Sequence, residues 1–307
     1  MIYMHDNITT TMKKILLTLA FGVMVCFSGK LYADLTTLSG KALYKPVDHL
    51  KAPQPFYLPL REISVEPEPF LPPSVTIPTF PQPVVAIIID DIGYNRQQGL
   101  AALALPGAFT YALIPYSPNA LAFAKAAAKI EKEVMLHTPM SDILRRPVSK
   151  GGLSMGMSRE AVVETLNHSI DSLPNVRGVN NHQGSLLTQK TEPMQWVMET
   201  IKQRNLYFVD SRTTHKSVAY QTANRHRVPA LRRDIFLDHE RTPAFLEQQF
   251  TELMAIAKRR GYAVGIGHPY PETIHFLSEN INRLEANGIS LLPVSKMLKG
   301  TKNLAQK

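Results

Sequence analysis

The chain has 307 residues, 44% of them hydrophobic, and its 34 Lys and Arg against 25 Asp and Glu give a net charge of +9. That surplus suits an anionic polymer or membrane surface, whereas the scattered basic residues form no nucleic-acid motif and exclude a nucleic-acid role. The single cysteine, Cys26, lies near the N-terminus, so the rest of the chain has no disulfide, no thiolate metal site and no cysteine nucleophile.

The N-terminus reads as a targeting segment. Met12-Lys13-Lys14 is a short basic region and Ile15 to Phe27 an apolar core. Leu31-Tyr32-Ala33 ends in the small residue that a signal peptidase needs, although Leu31 is larger than is usual there. Met12 serves as well as Met1 for a start. A retained membrane anchor is the lesser reading, because the apolar run is short for a bilayer span. The expectation is a signal peptide over residues 1–33, contact with a membrane only in transit, and a periplasmic or otherwise exported protein. Residues 34–83 follow as a flexible linker. Prolines at 46, 53, 55, 59, 67, 69, 72, 73, 78, 81 and 83 forbid regular helix and favour extended chain.

Residues 84–300 suffice for one large α/β domain, with 301–307 as a tail. The domain opens on Val84-Val85-Ala86-Ile87-Ile88-Ile89-Asp90-Asp91-Ile92-Gly93. Six apolar residues in a row suit a strand buried on both faces, as in a parallel sheet. Two adjacent carboxylates at its end repel each other, so they call for a cation beside them or for one acid held protonated. Further strands are expected at 108–114, 133–136, 176–179, 206–209, 235–237, 263–266 and 289–294. Helices alternate with them. Ser158 is an N-cap before Val162, Leu166, Ile170 and Leu173, and Thr191-Glu192-Pro193 starts a second helix. Thr242-Pro243 opens a third, and Pro271 opens a fourth that runs through Leu284 to a stop at Asn287-Gly288. This alternation indicates a parallel sheet, closed as a barrel or open and doubly wound. Polar clusters after nearly every strand favour the barrel, whose sites gather on one rim.

Those clusters carry His137, Asn180-Asn181-His182, Asp210-Ser211-Arg212, Asp238-His239 and His268. A lone acid or histidine after a strand often only caps a turn, a reading that fits Asp210 and Asp238 best. His239 reads as exposed loop, and His215 and His226 as solvated residues without a role. His137, His182 and His268 each follow an apolar run directly, beside residues that bend the backbone, and group with Asp90 and Asp91 as one site.

The segments IIIDDIG, EVMLHTPM, GVNNHQGS, FVDSRTT, DIFLD and IGHPY resemble the divergent polysaccharide deacetylase family, a distant branch of the NodB-homology carbohydrate esterases. The resemblance runs from Val84 to about Leu298. It implies an irregular, incomplete (β/α) barrel of seven to eight mostly parallel strands, holding a divalent metal, usually zinc. It implies Asp90 as general base, Asp91 as metal ligand and His268 as the acid that protonates the leaving group, with Asp210 orienting His268 or binding sugar hydroxyls. The wider superfamily takes two ligands from His-x-x-x-His, but here Ser141 stands four places after His137. His182 is the replacement, giving Asp91, His137 and His182 as an O,N,N set.

The expected activity is hydrolytic removal of acetyl groups from an N-acetylated glycan, such as peptidoglycan or another anionic envelope polymer. Two alternatives stand beside it: a decayed module that binds glycan without cleaving it, and a metal hydrolase acting on another bond. The absence of Gly-x-Ser-x-Gly disfavours a serine hydrolase, and Asp-Asp-Ile-Gly after the first strand disfavours dinucleotide binding.

Overall fold

The structure, a computed structural model, describes residues 80–300. The expected signal peptide, the linker up to residue 79 and the tail from 301 lie outside the described residues. Strand β1 (Val84–Ile92) is buried at every position except Asp91. Side chains alternate along it. Val84, Ala86 and Ile88 pack inside the barrel with Ala112, Met135, Val209, Val264 and Ile266, whereas Val85, Ile87 and Ile89 join the core beneath the helices.

The remaining elements follow in order: α1 (Arg96–Leu103), β2 (Thr110–Leu113), α2 (Ala120–Lys129), β3 (Glu133–Met140), α3 (Arg159–Asp171), β4 (Val176–Gln183), α4 (Thr191–Gln203), β5 (Tyr207–Asp210), α5 (Ala219–Arg225), β6 (Ala230–Arg232), β7 (Ile235–Phe236), α6 (Pro243–Arg260), β8 (Tyr262–Gly267), α7 (Pro271–Asn280), α8 (Asn282–Ala286), β9 (Ser290–Leu291) and α9 (Val294–Gly300). The sheet order is β6-β5-β4-β3-β2-β1-β8-β7, with β9 against the start of β1. Every pairing between these strands is parallel. The architecture is an incomplete α/β barrel with flanking helices.

The two ends of the sheet, β6 and β7, are consecutive in sequence. Between them Arg233 N donates to Asp210 O of β5 and Asp234 N to Val264 O of β8, both at 2.9 Å. One segment therefore leaves one wall and joins the other, and no ladder of hydrogen bonds crosses the seam.

The caps are where the sequence places them. Ser158 Oγ accepts from Ala161 N and Thr242 Oγ1 accepts from Phe245 N; Gly261 at φ 87 ends α6, a cap the sequence reading does not single out. Several details depart from expectation: helices α1, α2, α5 and α9 are not singled out in the sequence, and β3 and β4 run on to Met140 and Gln183. The three-residue strand β6 is too short to show in the sequence pattern. The helix from Pro271 breaks at Ile281 into α7 and α8. The strand expected over 289–294 shrinks to Ser290–Leu291, because the chain turns at Pro293 into α9. No described helix is long and apolar enough to cross a membrane.

Gly178 shows how tightly the barrel interior is filled. It lies beside Tyr207 across the β4–β5 pair, and a Cβ there would come within 2.1 Å of the Tyr207 ring. The ring cannot step aside freely, since its hydroxyl donates to Glu133 Oε1 at 2.8 Å. Gly178→Ala is expected to destabilise the domain by about 1–3 kcal/mol, the usual penalty of overpacking, read as a lowered melting temperature. An unchanged melting temperature contradicts this packing.

Candidate metal centre

Strand periodicity delivers most of the site. Asp90 continues the inward series of Val84, Ala86 and Ile88, His137 that of Met135, and His268 that of Val264 and Ile266. On β4, Asn180 and His182 share the inward face, and Asn180 is in register with His137. Asp91 would by alternation point away. A register irregularity between Ile89 and Ile92, with Asp91 at φ 59, turns it back toward the rim. A left-handed backbone on a non-glycine residue is unfavourable, and its occurrence beside a cluster of donors marks a functional constraint.

Asp91 Oδ1 lies 2.8 Å from His182 Nδ1 and 3.1 Å from His137 Nε2. The two nitrogens are 3.3 Å apart. Asp90 Oδ2 adds a fourth electron-rich atom 3.6 Å from His137 Nε2. Asn180 fixes the tautomer. Its Nδ2 donates to Asp90 Oδ1 at 2.8 Å, so its Oδ1 faces His137 Nδ1, also at 2.8 Å. Nδ1 is therefore the N–H, and Nε2 turns toward the acids and His182. Such a convergence requires a proton or a cation between these atoms. For metal–ligand bonds of 2.0–2.2 Å, the corners of a tetrahedral site stand about 3.3 Å apart. The three observed separations are equal to that spacing or up to half an ångström shorter, so with a small outward shift Asp91, His137 and His182 fit a small divalent ion.

Burial pushes the Asp90 carboxyl above its ordinary range, against the pull of His137, His268 and Asn180. Burial acts on Asp91 in the same sense, but hydrogen bonds and charge from His137 and His182 outweigh it and hold Asp91 far below the usual range. For His137, burial favours the neutral ring, and the charges of Asp90 and Asp91 reverse that preference.

His268 comes from the far side of the sheet order, with Nε2 3.9 Å from Asp91 Oδ2. Its partner is Asp238, not Asp210. Asp238 Oδ1 bonds His268 Nδ1 at 2.9 Å, while Oδ2 accepts from Thr273 Oγ1 and from the His268 backbone N. The ring is flanked by Phe236 and Tyr270. Burial would lower the His268 pKa, yet Asp238 together with Asp91 and Asp90 raises it to about 9. Asp210 follows inward-facing Val209 and so points outward, where it accepts from Ser217 Oγ, Tyr220 N and Arg212 N. The carboxylate in contact with His268 is thus Asp238, in place of the Asp210 expected from the sequence. His239 is exposed, and neither His215 nor His226 reaches the cluster.

Sequence reasoning passed over Asn180 and undervalued Asp238. The period-2 pattern was the available signal: Asn180 lies two residues before His182, and Asp238 two after Phe236. A cavity of about 180 Å³ opens at the mouth between Asp91, Tyr94, His268 and Tyr270. A larger one, about 670 Å³, lies at the opposite end among Lys132, Glu133, Arg177 and Tyr207. In such folds the chemistry belongs to the carboxyl rim, and the far end serves stability.

Residues 87–298 match the family described as divergent polysaccharide deacetylase. The uncharacterized protein YibQ of Escherichia coli (strain K12) is 34% identical over 214 residues, covering 70% of this chain and 67% of that one. An uncharacterized protein of Haemophilus influenzae is 35% identical over 206 residues, covering 67% and 74% respectively. Among solved structures, an uncharacterized protein from Agrobacterium tumefaciens C58 superposes with a TM-score of 0.67 at 24% identity, over 70% of this chain and 89% of that chain, a likeness of fold.

Proposed function

This chain belongs to the divergent polysaccharide deacetylase family, and from that premise we propose that it is a zinc-dependent deacetylase of an N-acetylated envelope glycan in the periplasm or outside the cell. The observation that carries the reading is the meeting of Asp91, His137 and His182 donor atoms, all within 4.8 Å of one another, between a buried carboxylate and an imidazole. The divalent ion they would hold supplies Lewis-acid polarisation of the acetyl carbonyl and makes a water proton easier to remove.

The chain's own groups do the rest. Asp90, kept basic by burial and fixed by Asn180, takes the water proton on Oδ2. Asp238 holds His268 Nδ1, which leaves Nε2 to carry a proton toward the site. That proton goes to the amine nitrogen as the C–N bond breaks, so the products are acetate and a free amino sugar. The net positive chain favours an anionic glycan.

The missing second histidine of His-x-x-x-His is what motivates a decayed binding module. His182, with Nδ1 2.8 Å from Asp91, offers a third donor in its place and so supports turnover. The test is acetate release from N-acetylglucosamine oligomers by metal-loaded protein. Stoichiometric metal with glycan binding and no acetate would establish the module instead.

Proton handling by His268 has a signed consequence. Activity should rise as Asp90 loses its proton and fall as pH passes about 9, where His268 loses its own. Asp238→Asn removes the charge that raises the His268 pKa, so the alkaline limb should move down by about one to three pH units. A pH–rate profile reads this directly, and an unmoved limb would exclude His268 as the proton donor.

A further inference from the structure

We propose that the sector of the barrel from β1 to the loop between β3 and α3 docks on an anionic lipid bilayer. This goes beyond the deacetylase reading and stands or falls separately from it. The eight large hydrophobic side chains exposed among the described residues all lie between positions 94 and 155. Five of them, Tyr94, Tyr116, Ile143, Leu144 and Met155, sit in loops beyond the carboxyl ends of β1, β2 and β3. Scattered apolar residues on a surface are ordinary, but confinement to one sector is not.

The tip of the β3–α3 loop is the most pronounced part. Ile143 and Leu144 are 61% and 70% exposed and adjacent. Their exposure is built in. Buried Asp142 accepts from Arg146 N at 3.1 Å and pairs with the Arg146 guanidinium, while Ser185 Oγ accepts from Ile143 N at 3.1 Å. The loop neck is tied as well, with Met155 N donating to Ser141 Oγ at 3.0 Å. A turn held this firmly presents two aliphatic side chains to the outside as its settled conformation.

Charge identifies the occupant. The loops beyond β1, β2 and β3, at 93–95, 114–119 and 141–158, carry Arg145, Arg146 and Lys150 against one acid, Asp142, which is buried. Arg145, Arg146 and Lys150 flank the apolar pair and are exposed. A sugar is held by hydroxyl partners and aromatic faces, which Ile143 and Leu144 lack. Aliphatic chains flanked by long cations match a membrane interface, with the apolar pair below the headgroups and the cations at the phosphates. Docked in this way, the mouth with Asp91 and His137 works at the membrane surface.

The test uses the full chain carrying Cys26→Ser and Leu144→Cys, with an environment-sensitive fluorophore at position 144. Equimolar phosphatidylglycerol and phosphatidylcholine vesicles should shift the emission to the blue, and brominated acyl chains should quench it. Arg145→Glu with Lys150→Glu should weaken the apparent affinity about tenfold or more, as should high salt. The same label on Arg177→Cys, at the opposite end of the barrel, should stay in a polar environment. Because the readout is depth at one position, it is independent of any attachment through residues 15–27. An unshifted emission at 144, an equal response on pure phosphatidylcholine, indifference to charge reversal, or an equal shift at 177 each overturns the proposal. Burial of the 144 label by a protein extract, without a response to vesicles, overturns it in favour of a protein partner.

Discussion

His137→Ala is expected to fold yet to retain no stoichiometric metal after dialysis, measured by elemental analysis. His137 Nε2 is the innermost of the three donors, 3.1 Å from Asp91 Oδ1 and 3.3 Å from His182 Nδ1, on a ring only 2% exposed. Asn180 pins the opposite ring nitrogen, so Nε2 cannot be exchanged for Nδ1 by a ring flip. Loss of an outer-shell partner alone typically weakens metal binding about 10–100-fold, and loss of a ligand should cost more. Two of the three donors remain, one fewer than a catalytic zinc site takes from its protein. Asn180→Ala should fall between wild type and His137→Ala. Full metal content in His137→Ala would remove this cluster from consideration as the metal centre.

Asp90→Asn is expected to keep its metal and lose about 10²–10⁴-fold in turnover, the range attributed to a general base. The substitution is nearly isosteric, and its amide oxygen can still accept from Asn180 Nδ2. What disappears is the capacity to take a proton beside His137. The same change should leave the melting temperature unaltered or raise it, because a carboxylate whose pKa is lifted by burial is costly to keep charged inside the fold. Stability gained where activity is lost separates a catalytic carboxylate from a structural one. Equal metal content and equal turnover in the Asp90 and His137 variants would dismiss the division of roles.

The framework and the rim were legible because each rests on a rule that tertiary context seldom overrides. A buried β-branched run ending in acids is a strand reaching a rim, so Asp90, His137, His182 and His268 were recoverable from their positions after apolar runs. Asp91 was recoverable as a type, but its orientation was not. Nothing in Asp-Asp-Ile-Gly announces that the second acid adopts φ 59. Asp210 and Asp238 looked alike as residues after short strands. Their difference is one of facing, and with β7 reduced to Ile235–Phe236 the alternation was too brief to read. Asn180 was hidden by type, since an amide in Asn-Asn-His looks like a turn. Its role depends on a cross-strand register with His137 that only the folded sheet supplies.

The sheet order has a bearing on how the protein comes into being. Asp91, His137 and His182 belong to strands β1 to β4, which lie side by side and leave the ribosome first, whereas His268 and Asp238 arrive with the returning arm that pairs Val84 with Tyr262. Chains acquire structure as they emerge, and distant pairings are the slow ones. On the proposed function, the residues that would hold the ion are therefore synthesised before those that would protonate the amine. On that reading, loss of His268 or Asp238 would leave the three ion-holding side chains in place.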